Sequence, residues 1–492
     1  MTEEKPPEKA GIRRRRRRRR PRKSAAPEVV DTSAADAPRA PQDEGAVTEG
    51  SDSAGADSSG ANGASVAGQD GGGPSKRRRR RRSRYKRGDR GGGEAGPGKA
   101  NNEQSGERNG APTKRGEPLA VEGILDIRKD GTGFLRQLER DLAESPKDPM
   151  VPVAIVRKFG LKNGMLCQGR GVPGKGKYGP RMEFLESIDG MDAHERRRMP
   201  QFKRLTVIDP DFHFELGTCE HEGRLSMRVM DLLAPLGRGQ RGLLVAPPRT
   251  GKTTLLQHVA RSMEEIYPDV HIMVLLIDER PEEATYWRRN LKNGEVYVST
   301  MDQPPKRHVR LAELVQFRAE RLVEEGKEVV ILLDSITRLT RAYNNTVGGK
   351  NSKVMSGGLD SRVFQKPKSF FGAARNTENA GSLTILASAL VDTGSRMDHV
   401  IFEEFKGTGN MEVTLDRALA DRRIFPAINI NATGTRKEEK LFTRQTMRKI
   451  NILRRVLSRM RPREAVEMLI DRLERYPSNR EFLDAFSLDD VD

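Results

Sequence analysis

One short segment combines the residue types that bind a nucleoside triphosphate. An apolar run at residues 242–246 predicts a buried strand, and the two prolines after it end the strand because they lack backbone donors. Gly251 permits a tight loop whose N–H groups face phosphate oxygens, Lys252 reaches the terminal phosphates, and the Thr253 hydroxyl can hold Mg²⁺. A helix is predicted next, with its positive end toward the same anion. An accidental Gly-Lys-Thr in a surface turn is the alternative, but it explains neither the strand nor the helix.

Two acidic residues follow apolar strands that we expect in the same sheet. Asp334 is predicted to be a Mg²⁺-linked carboxylate, and Glu279 to orient and deprotonate the attacking water. The alternative, in which Asp278 caps a turn and Glu279 merely pairs with Arg280, stays open. The spacing of the apolar runs predicts an α/β fold of the RecA-like P-loop type, a parallel sheet covered on both faces with ligands at its C-terminal edge. The runs are HIMVLLIDER, VVILLDSITR and SLTILASAL.

The charge of the chain is concentrated in its first part. Of the net charge of +19 over 492 residues, residues 1–118 carry +11, from 28 Lys and Arg against 17 Asp and Glu. This segment has almost no apolar residues, so we expect a disordered basic leader. Its arginine runs, residues 13–20 and 77–82, predict salt-sensitive, sequence-blind attraction to nucleic acid. A solubilising tail and a targeting signal are the alternatives.

Residues 119–190 show short alternating runs broken by Gly and Pro, which predict a small all-β barrel of the OB or cold-shock type. Within DGTGFLR, residues 130–136, Phe134 is placed to stack bases. A core phenylalanine is the alternative. Nucleic acid is favoured by further residues of the same segment, namely Arg136, Arg157, Lys158, Lys175, Lys177 and Tyr178.

Residues 191–224 are predicted to be a connector and residues 225–492 an ATPase domain. A loop rich in Gly, Asn and Ser follows the strand that ends at Asp334, and its Lys353 could grip a phosphate chain in a central pore. A floppy surface turn is the alternative. A second loop carries Arg396, and Arg423 and Arg436 are candidates for an arginine that a neighbouring subunit supplies to phosphoryl transfer.

The two cysteines, Cys167 and Cys219, cannot form a disulfide framework and have no nearby ligand partners, which favours a reducing compartment. No metal other than Mg²⁺ is implied. No apolar stretch of about 18 residues is present to span a bilayer, so we expect a cytoplasmic protein without membrane contact.

Together the motifs resemble the transcription termination factor Rho family of bacterial ring-shaped RNA–DNA helicases. The resemblance runs from about Val121 to the C-terminus. It rests on PLGRGQRGLLVAPPRTGKTTLL, LLIDERPEEAT, ILLDSITRLTRAYN, KSFFGAARN, EEFKGTGNMEV and GTRKEEKLF. It implies a homohexamer that binds ATP and Mg²⁺, loads single-stranded nascent RNA on outer barrels and threads it through a pore. It also implies release of transcripts from the RNA polymerase elongation complex, with a NusG-type elongation factor as a further partner. The first alternative is another hexameric ATPase with the same sheet, such as a rotary ATPase subunit, and the second is a non-enzymatic RNA-binding protein whose ATP site is merely structural.

The resemblance also assigns site residues by position. It implies that Lys252, Glu279 and Asp334 are catalytic, with Arg436 as an arginine finger and Arg423 as a second interface arginine. The implied nucleotide contacts are Gly237, Arg238, Gly239, Gln240, Arg241, Gly242, Arg249, Thr250, Gly251, Lys252, Thr253, Thr254, Arg280 and Phe425. The implied pore contacts are Lys353, Val354, Ser356, Gly357 and Arg396. The implied outer RNA site comprises Gly131, Thr132, Gly133, Phe134, Leu135, Arg136, Asp148, Pro149, Met150, Gly176, Lys177 and Tyr178.

Three departures from the family pattern concern RNA. Thr132 and Met150 stand where the family usually has aromatic residues, and stacking is worth about 1 to 3 kcal/mol per base. We therefore expect a weaker barrel site or one with less pyrimidine preference. The helical domain that usually precedes the barrel is replaced by the basic leader, which we expect to offset the weaker barrel.

Deleting residues 1–116 should lower RNA affinity and flatten its dependence on salt, because each lost phosphate contact removes released counterions. Dissociation constants for single-stranded RNA at several salt concentrations measure both quantities. Unchanged affinity and slope would show that the leader does not assist the barrel.

Overall fold

The computed structural model describes residues 118–347, 358–359 and 362–485. The predicted basic leader, apart from Pro118, lies outside these residues. So do four of the five predicted pore contacts, Lys353, Val354, Ser356 and Gly357.

The first part of the described chain is a closed five-stranded barrel, as the alternating runs predict. The spatial order of its strands is β1-β2-β3-β5-β4. Its interior is lined by apolar residues that include Leu125, Leu135, Val151 and Met182. The strands are β1 (Leu119–Ile127), β2 (Gly133–Arg136), β3 (Met150–Val151), β4 (Leu166–Val172) and β5 (Arg181–Ile188). Helix α1 (Val153–Phe159) follows β3, and α2 (Ala193–Arg198) follows the barrel.

The second part is an α/β core built on a seven-stranded sheet in the order β14-β13-β7-β12-β10-β8-β9. Its strands are β7 (Arg241–Ala246), β8 (His271–Glu279), β9 (Glu295–Thr300), β10 (Glu328–Asp334), β12 (Ser382–Leu390), β13 (Met411–Thr414) and β14 (Gly434–Thr435). All neighbours pair in parallel except β13 with β14. A separate pair is formed by β6 (Val207–Ile208) and β11 (Asn376–Thr377).

Both faces of this sheet are covered, because alternate side chains of the interior strand β7 enter two different apolar cores. Leu244 and Ala246 of β7 belong to one core, whereas Leu243 and Val245 belong to the other. The prediction of a RecA-like core with both faces covered is therefore confirmed.

Eleven further helices lie in the described part of the core. They are α3 (Arg224–Leu233), α4 (Lys252–Ile266), α5 (Pro281–Asn290), α6 (Pro305–Glu324), α7 (Ile336–Val347), α8 (Gln365–Phe371), α9 (Arg396–Lys406), α10 (Arg417–Asp421), α11 (Arg444–Ser458), α12 (Pro462–Glu474) and α13 (Asn479–Asp484). Among the described residues, no helix has both the length and the apolar character that crossing a bilayer requires.

Buried ion pairs join the barrel to α6 of the core. Asp126 of β1 is 1% exposed, accepts a 2.8 Å hydrogen bond from Arg136 Nε, and pairs with Arg310 of α6. After β5, Asp189 accepts a 2.5 Å hydrogen bond from Arg318 Nη1, also on α6. Charges buried in this way must be paired, so they specify how the barrel is seated on the core.

Asp126→Ala should lower the free energy of unfolding by about 3 to 5 kcal/mol, because it removes one of the two carboxylates that compensate the buried Arg136 and breaks the pair with Arg310. Urea titration followed by circular dichroism measures the change. The control is Glu139→Ala, an exposed acid of the same barrel, for which we expect a change within about 0.5 kcal/mol. Equal stability of the two variants would contradict a structural role for the Asp126 pairs.

Candidate ATP site and RNA-binding surface

The loop between β7 and α4 has the shape of a phosphate cradle. Arg249 and Gly251 have φ angles of 65° and 90°, left-handed values that turn the chain sharply. The Thr250 hydroxyl donates a 2.8 Å hydrogen bond to the carbonyl of Pro247 and holds the turn. Because α4 begins at Lys252, its first N–H groups are free to bind an anion at the loop.

Lys252 lies between the two acids that the sequence placed in separate motifs. Its ammonium group hydrogen-bonds Asp334 Oδ1 and lies 3.4 Å from Glu279 Oε1. The acids end β10 and β8, which are neighbouring parallel strands, and both are buried. Ser388 of β12 donates a 2.8 Å hydrogen bond to Asp334 Oδ1 and was not predicted. The edge of the sheet thus holds one cation between two carboxylates, at the mouth of the loop.

A third acid completes a set of oxygen ligands. Side-chain oxygens of Glu279, Glu283 and Asp334 lie within 4.8 Å of one another. Thr253 Oγ1 donates a 3.3 Å hydrogen bond to Glu283 Oε2, and the buried Asp334 Oδ2 has no hydrogen-bond partner. Hard oxygen ligands with one uncommitted carboxylate atom fit Mg²⁺. Sequence reasoning missed Glu283. This residue follows Glu279 by four positions and lies in the first turn of α5, which begins at Pro281.

The environment of Glu279 suits a general base. Burial raises the pKa of its carboxyl group and the nearby Asp334 charge raises it further, while Lys252 and Arg338 oppose the shift. Arg338 Nη1 lies 2.9 Å from Glu279 Oε1 and also donates to the carbonyl of Asp278, so it orients the acid. Sequence reasoning also missed Arg338, which follows Asp334 by four positions and lies in the first turn of α7.

The structure does not bring the six residues 237–242 to the phosphate loop. They lie at the amino end of β7, where Gly242 pairs with Leu386 and Met411. At about 3.3 Å per residue, a strand of this length separates its two ends by about 16 Å. Within one chain they therefore do not share a triphosphate with Lys252. The assignment of Gly237, Arg238, Gly239, Gln240, Arg241 and Gly242 to the nucleotide stays a prediction, which a site shared between two copies would satisfy.

The outer face of the barrel presents part of the predicted RNA site. Cross-strand pairing places Phe134 beside Met150, and Met150 beside the exposed Arg181. Tyr178 is 65% exposed, and Lys177 lies 5.7 Å from its ring centroid. Phe184 of β5 is equally exposed and was not predicted. Gly131 and Thr132 form the turn that leads into β2, and Gly176 lies in the loop before Tyr178. Gly133, the first residue of β2, and Pro149, which directly precedes β3, are buried.

Three further predicted RNA contacts, Leu135, Arg136 and Asp148, also lie inside the protein. Leu135 is a core residue of the barrel and is fully buried. Arg136 is 1% exposed, because it pairs with Asp126 and, at 2.6 Å, with Asp148, which is itself buried. The prediction that these three side chains contact RNA is corrected: a buried guanidinium between two carboxylates cannot also bind phosphate.

Comparison with known proteins agrees with both halves of the structure. Residues 121–194 match the family described as Rho termination factor, RNA-binding domain, and residues 226–434 match the ATP synthase alpha/beta family, nucleotide-binding domain. The chain is 48% identical over 381 residues to transcription termination factor Rho of Aquifex aeolicus, covering 77% of this chain and 87% of that protein. This chain belongs to the Rho family. The Rho protein of Pseudomonas aeruginosa is likewise 48% identical, over 76% of this chain and 89% of its own length.

Membership of the Rho family confirms the predicted resemblance and the prediction of an ATP-hydrolysing enzyme. A rotary ATPase subunit, the first alternative to Rho, does not account for the match of residues 121–194. A solved structure described as a prototypical ATPase from a bacterial type III secretion system is 22% identical, with a TM-score of 0.48 over 65% of this chain and 90% of that chain. This more distant likeness adds nothing to the assignment.

Two residues that the Rho resemblance assigns to the nucleotide lie beside the loop. Phe425 is 45% exposed, and a Cβ atom built on Gly251 would lie 3.6 Å from its ring, so the ring borders the cradle. Arg280 is the exposed N-cap residue of α5, directly after Glu279. Arg423 is also exposed, two residues before Phe425. Thr254 is the exposed third residue of α4.

The predicted arginine finger lies elsewhere. The backbone N–H of Arg436 donates to the carbonyl of Asn410, whose own N–H donates to the carbonyl of Arg241. Arg436 is therefore at the amino end of β7, with an exposed side chain. Its own phosphate loop is at the other end of that strand.

The predicted second pore loop is shorter than the sequence indicated. Arg396 is the exposed first residue of α9 rather than the tip of a loop. The buried Asp398 anchors this helix start by accepting hydrogen bonds from Thr393 and Arg341.

Glu279→Gln should lower the ATPase rate by about 10² or more, because the amide cannot accept a proton from water. The same change should raise the melting temperature of the nucleotide-free protein at pH 7, because it removes a charge whose raised pKa shows that folding disfavours it. The gain should shrink as the pH falls and vanish near about pH 3, where the carboxyl group is neutral in both the folded and the unfolded chain.

The matched control is Glu282→Gln, an exposed acid of α5, which should change neither rate nor melting temperature. A Glu279→Gln variant with full ATPase activity would exclude Glu279 as the base.

Proposed function

We propose that this chain is an RNA-dependent ATPase that terminates transcription as a homohexameric ring. It binds nascent single-stranded RNA, pulls it by hydrolysing ATP, and releases it from the RNA polymerase elongation complex. The 48% identity to proteins named transcription termination factor Rho supports this proposal. So does the presence, in one chain, of an RNA-binding barrel and an ATP site.

The position of Arg436 is the observation that supports a ring-shaped assembly. An exposed arginine at the amino end of β7 cannot reach the phosphate loop of its own chain at the carboxyl end. We infer that it serves the loop of another copy. Contacts in which one face of a protomer meets the opposite face of the next form a ring when the rotation between protomers closes, and a filament when it does not. Arg423 and Phe425, beside the loop, would then lie at the same boundary.

The catalytic steps follow from the charges at the loop. Loop N–H groups and Lys252 bind the phosphates, which draws the lysine away from Asp334. Asp334, Glu283 and Thr253 would hold Mg²⁺, which neutralises phosphate charge. Glu279, oriented by Arg338, accepts the proton of the attacking water. The partner subunit's Arg436 stabilises the charge that develops in the transition state.

The RNA contacts divide between two places. Phe134, Met150 and Tyr178 on the outer barrel would load RNA, and the Rho resemblance places Arg396 and the loop of Lys353 in the pore. If the protein releases transcripts, its partner is the RNA polymerase elongation complex and it acts in the cytoplasm. A NusG-type factor stays a prediction from the resemblance.

A mixing experiment tests the ring and the finger together. Lys252→Ala and Arg436→Ala should each abolish ATP hydrolysis, but co-assembled rings of the two should regain part of it. At some boundaries an Arg436→Ala protomer supplies an intact Lys252, while its Lys252→Ala neighbour supplies an intact Arg436. The ATPase rate in saturating single-stranded RNA measures the recovery.

The control mixture is Lys252→Ala with Glu279→Gln, which damages the same side of every boundary and should stay inactive. If native mass spectrometry shows mixed hexamers but the first mixture regains no ATPase activity, the proposed role of Arg436 as an arginine finger is wrong. A wild-type rate that is equal with and without RNA would overturn the proposed function itself. So would full biological activity of Lys252→Ala, which the second alternative, a non-enzymatic RNA-binding protein, requires.

A further inference from the structure

An arginine that no motif assigned lies over the aromatic ring of the outer barrel site. The guanidinium carbon of Arg128 is 4.2 Å from the ring centroid of Phe134. At this distance the ring face attracts the cation. The arginine side chain is 49% exposed, so about half of its surface remains open to solvent although it lies against the ring.

The hairpin between β1 and β2 places Arg128 there. Asp126 pairs with Phe134 and Ile127 with Gly133, and beyond them the Arg128 N–H donates a 2.8 Å hydrogen bond to the Thr132 carbonyl. Side chains alternate along a strand, so Arg128, Thr132 and Phe134 share the outer face and Arg128 is diagonal to the ring. The short side chain of Thr132 leaves the space that the arginine fills.

Arg128 is held only weakly by other groups. Its described ion-pair partner is Glu144, at 3.4 Å, and the glutamate side chain is 60% exposed. An exposed pair of this kind is weak, because water and salt screen the two charges. The other arginine near the ring, Arg136, lies 5.4 Å from the centroid but is buried between two carboxylates. Of these two guanidinium groups, Arg128 is the one that can take a ligand.

A groove of about 520 Å³ opens beside this pair of residues, between the barrel and α6. Its lining includes Arg128, Lys129 and Arg310 as cations, with Asp130 and Glu144 as exposed acids. Arg310 is already paired with Asp126. A phosphate entering the groove would therefore meet Arg128 and Lys129 as its available positive charges.

We propose that Arg128 and Phe134 form one composite platform for a nucleotide of single-stranded RNA. The base stacks on the outer side of the guanidinium, as bases do on arginine planes, and the N–H edge of Arg128 pairs with the adjacent phosphate. Arg128 thereby supplies the second stacking layer that Thr132 cannot. The inference rests on the proposed RNA-binding function and names a residue that performs it.

The test compares full-length variants in binding a fluorescent ten-nucleotide cytidine RNA, by anisotropy at several salt concentrations. Arg128→Ala should weaken binding at least about fivefold, the loss of one stacked layer, and lower the salt slope by about 0.7. Arg128→Phe should recover the affinity at high salt but keep the reduced slope, because stacking returns without charge. Arg128→Lys should keep the slope and lose most of the stacking.

Arg170→Ala is the matched control: this arginine of β4 is 61% exposed and paired with the exposed Glu186 at 2.6 Å. It should change the affinity less than twofold. Phe134→Ala combined with Arg128→Ala should cost no more than Phe134→Ala alone, because the two act as one platform.

The outcomes separate this inference from the function on which it rests. If Phe134→Ala weakens binding but Arg128→Ala leaves it unchanged, the composite platform is wrong and the barrel site stands. If Arg128→Ala strengthens binding, the arginine covers the ring and blocks RNA, which also overturns the inference. If Phe134→Ala has no effect, the barrel does not bind RNA at this face, and the composite platform and the proposed RNA-loading role of Phe134 both fail, whereas RNA-stimulated ATP hydrolysis tests the proposed function separately.

Discussion

The enzymatic half of this protein depends on the buried contact of one ammonium group with two carboxylates. Lys252, Glu279 and Asp334 come from three segments that only the parallel sheet brings together. In the protein without ligand each charge compensates the others, since an isolated buried charge is strongly disfavoured. The same balance makes the site responsive: a triphosphate that takes Lys252 leaves Asp334 with an uncompensated charge, which a divalent cation can then neutralise.

The barrel is tied to this core through α6. The carboxylates Asp126 and Asp189 of the barrel side each bind arginines of that helix. On the core side, α6 follows β9, whose Ser299 hydroxyl lies 2.7 Å from His308 Nδ1 of α6. Just after β9, the N–H of Met301 donates to the carbonyl of Glu279. Ion pairs and hydrogen bonds at α6 and β9 thus link the barrel to the catalytic edge through the backbone of these two elements.

The outer RNA face shows why residue type alone is an incomplete guide. Arg136 stands in the expected basic position of the motif, yet it is buried and holds the barrel together. Arg128, outside the predicted site, is exposed and lies on the aromatic ring. Arg136 is buried between two carboxylates, whereas Arg128 is exposed and has an exposed carboxylate partner. This difference depends on strand register and on how the barrel is seated against α6.

By itself, the sequence determined the fold class. Apolar periodicity and the Gly-Lys-Thr loop are local patterns, so a single strand and the helix after it can be predicted without knowing their tertiary contacts. It also indicated that Lys252, Glu279 and Asp334 are catalytic candidates, since residues that end parallel strands share one edge. It missed Glu283, Arg338 and Ser388, and it did not show that residues 237–242 lie at the end of β7 away from the phosphate loop of the same chain. Only the tertiary structure decides such matters, because which atoms meet depends on strand order, register and burial, and these arise from contacts between residues far apart in the chain.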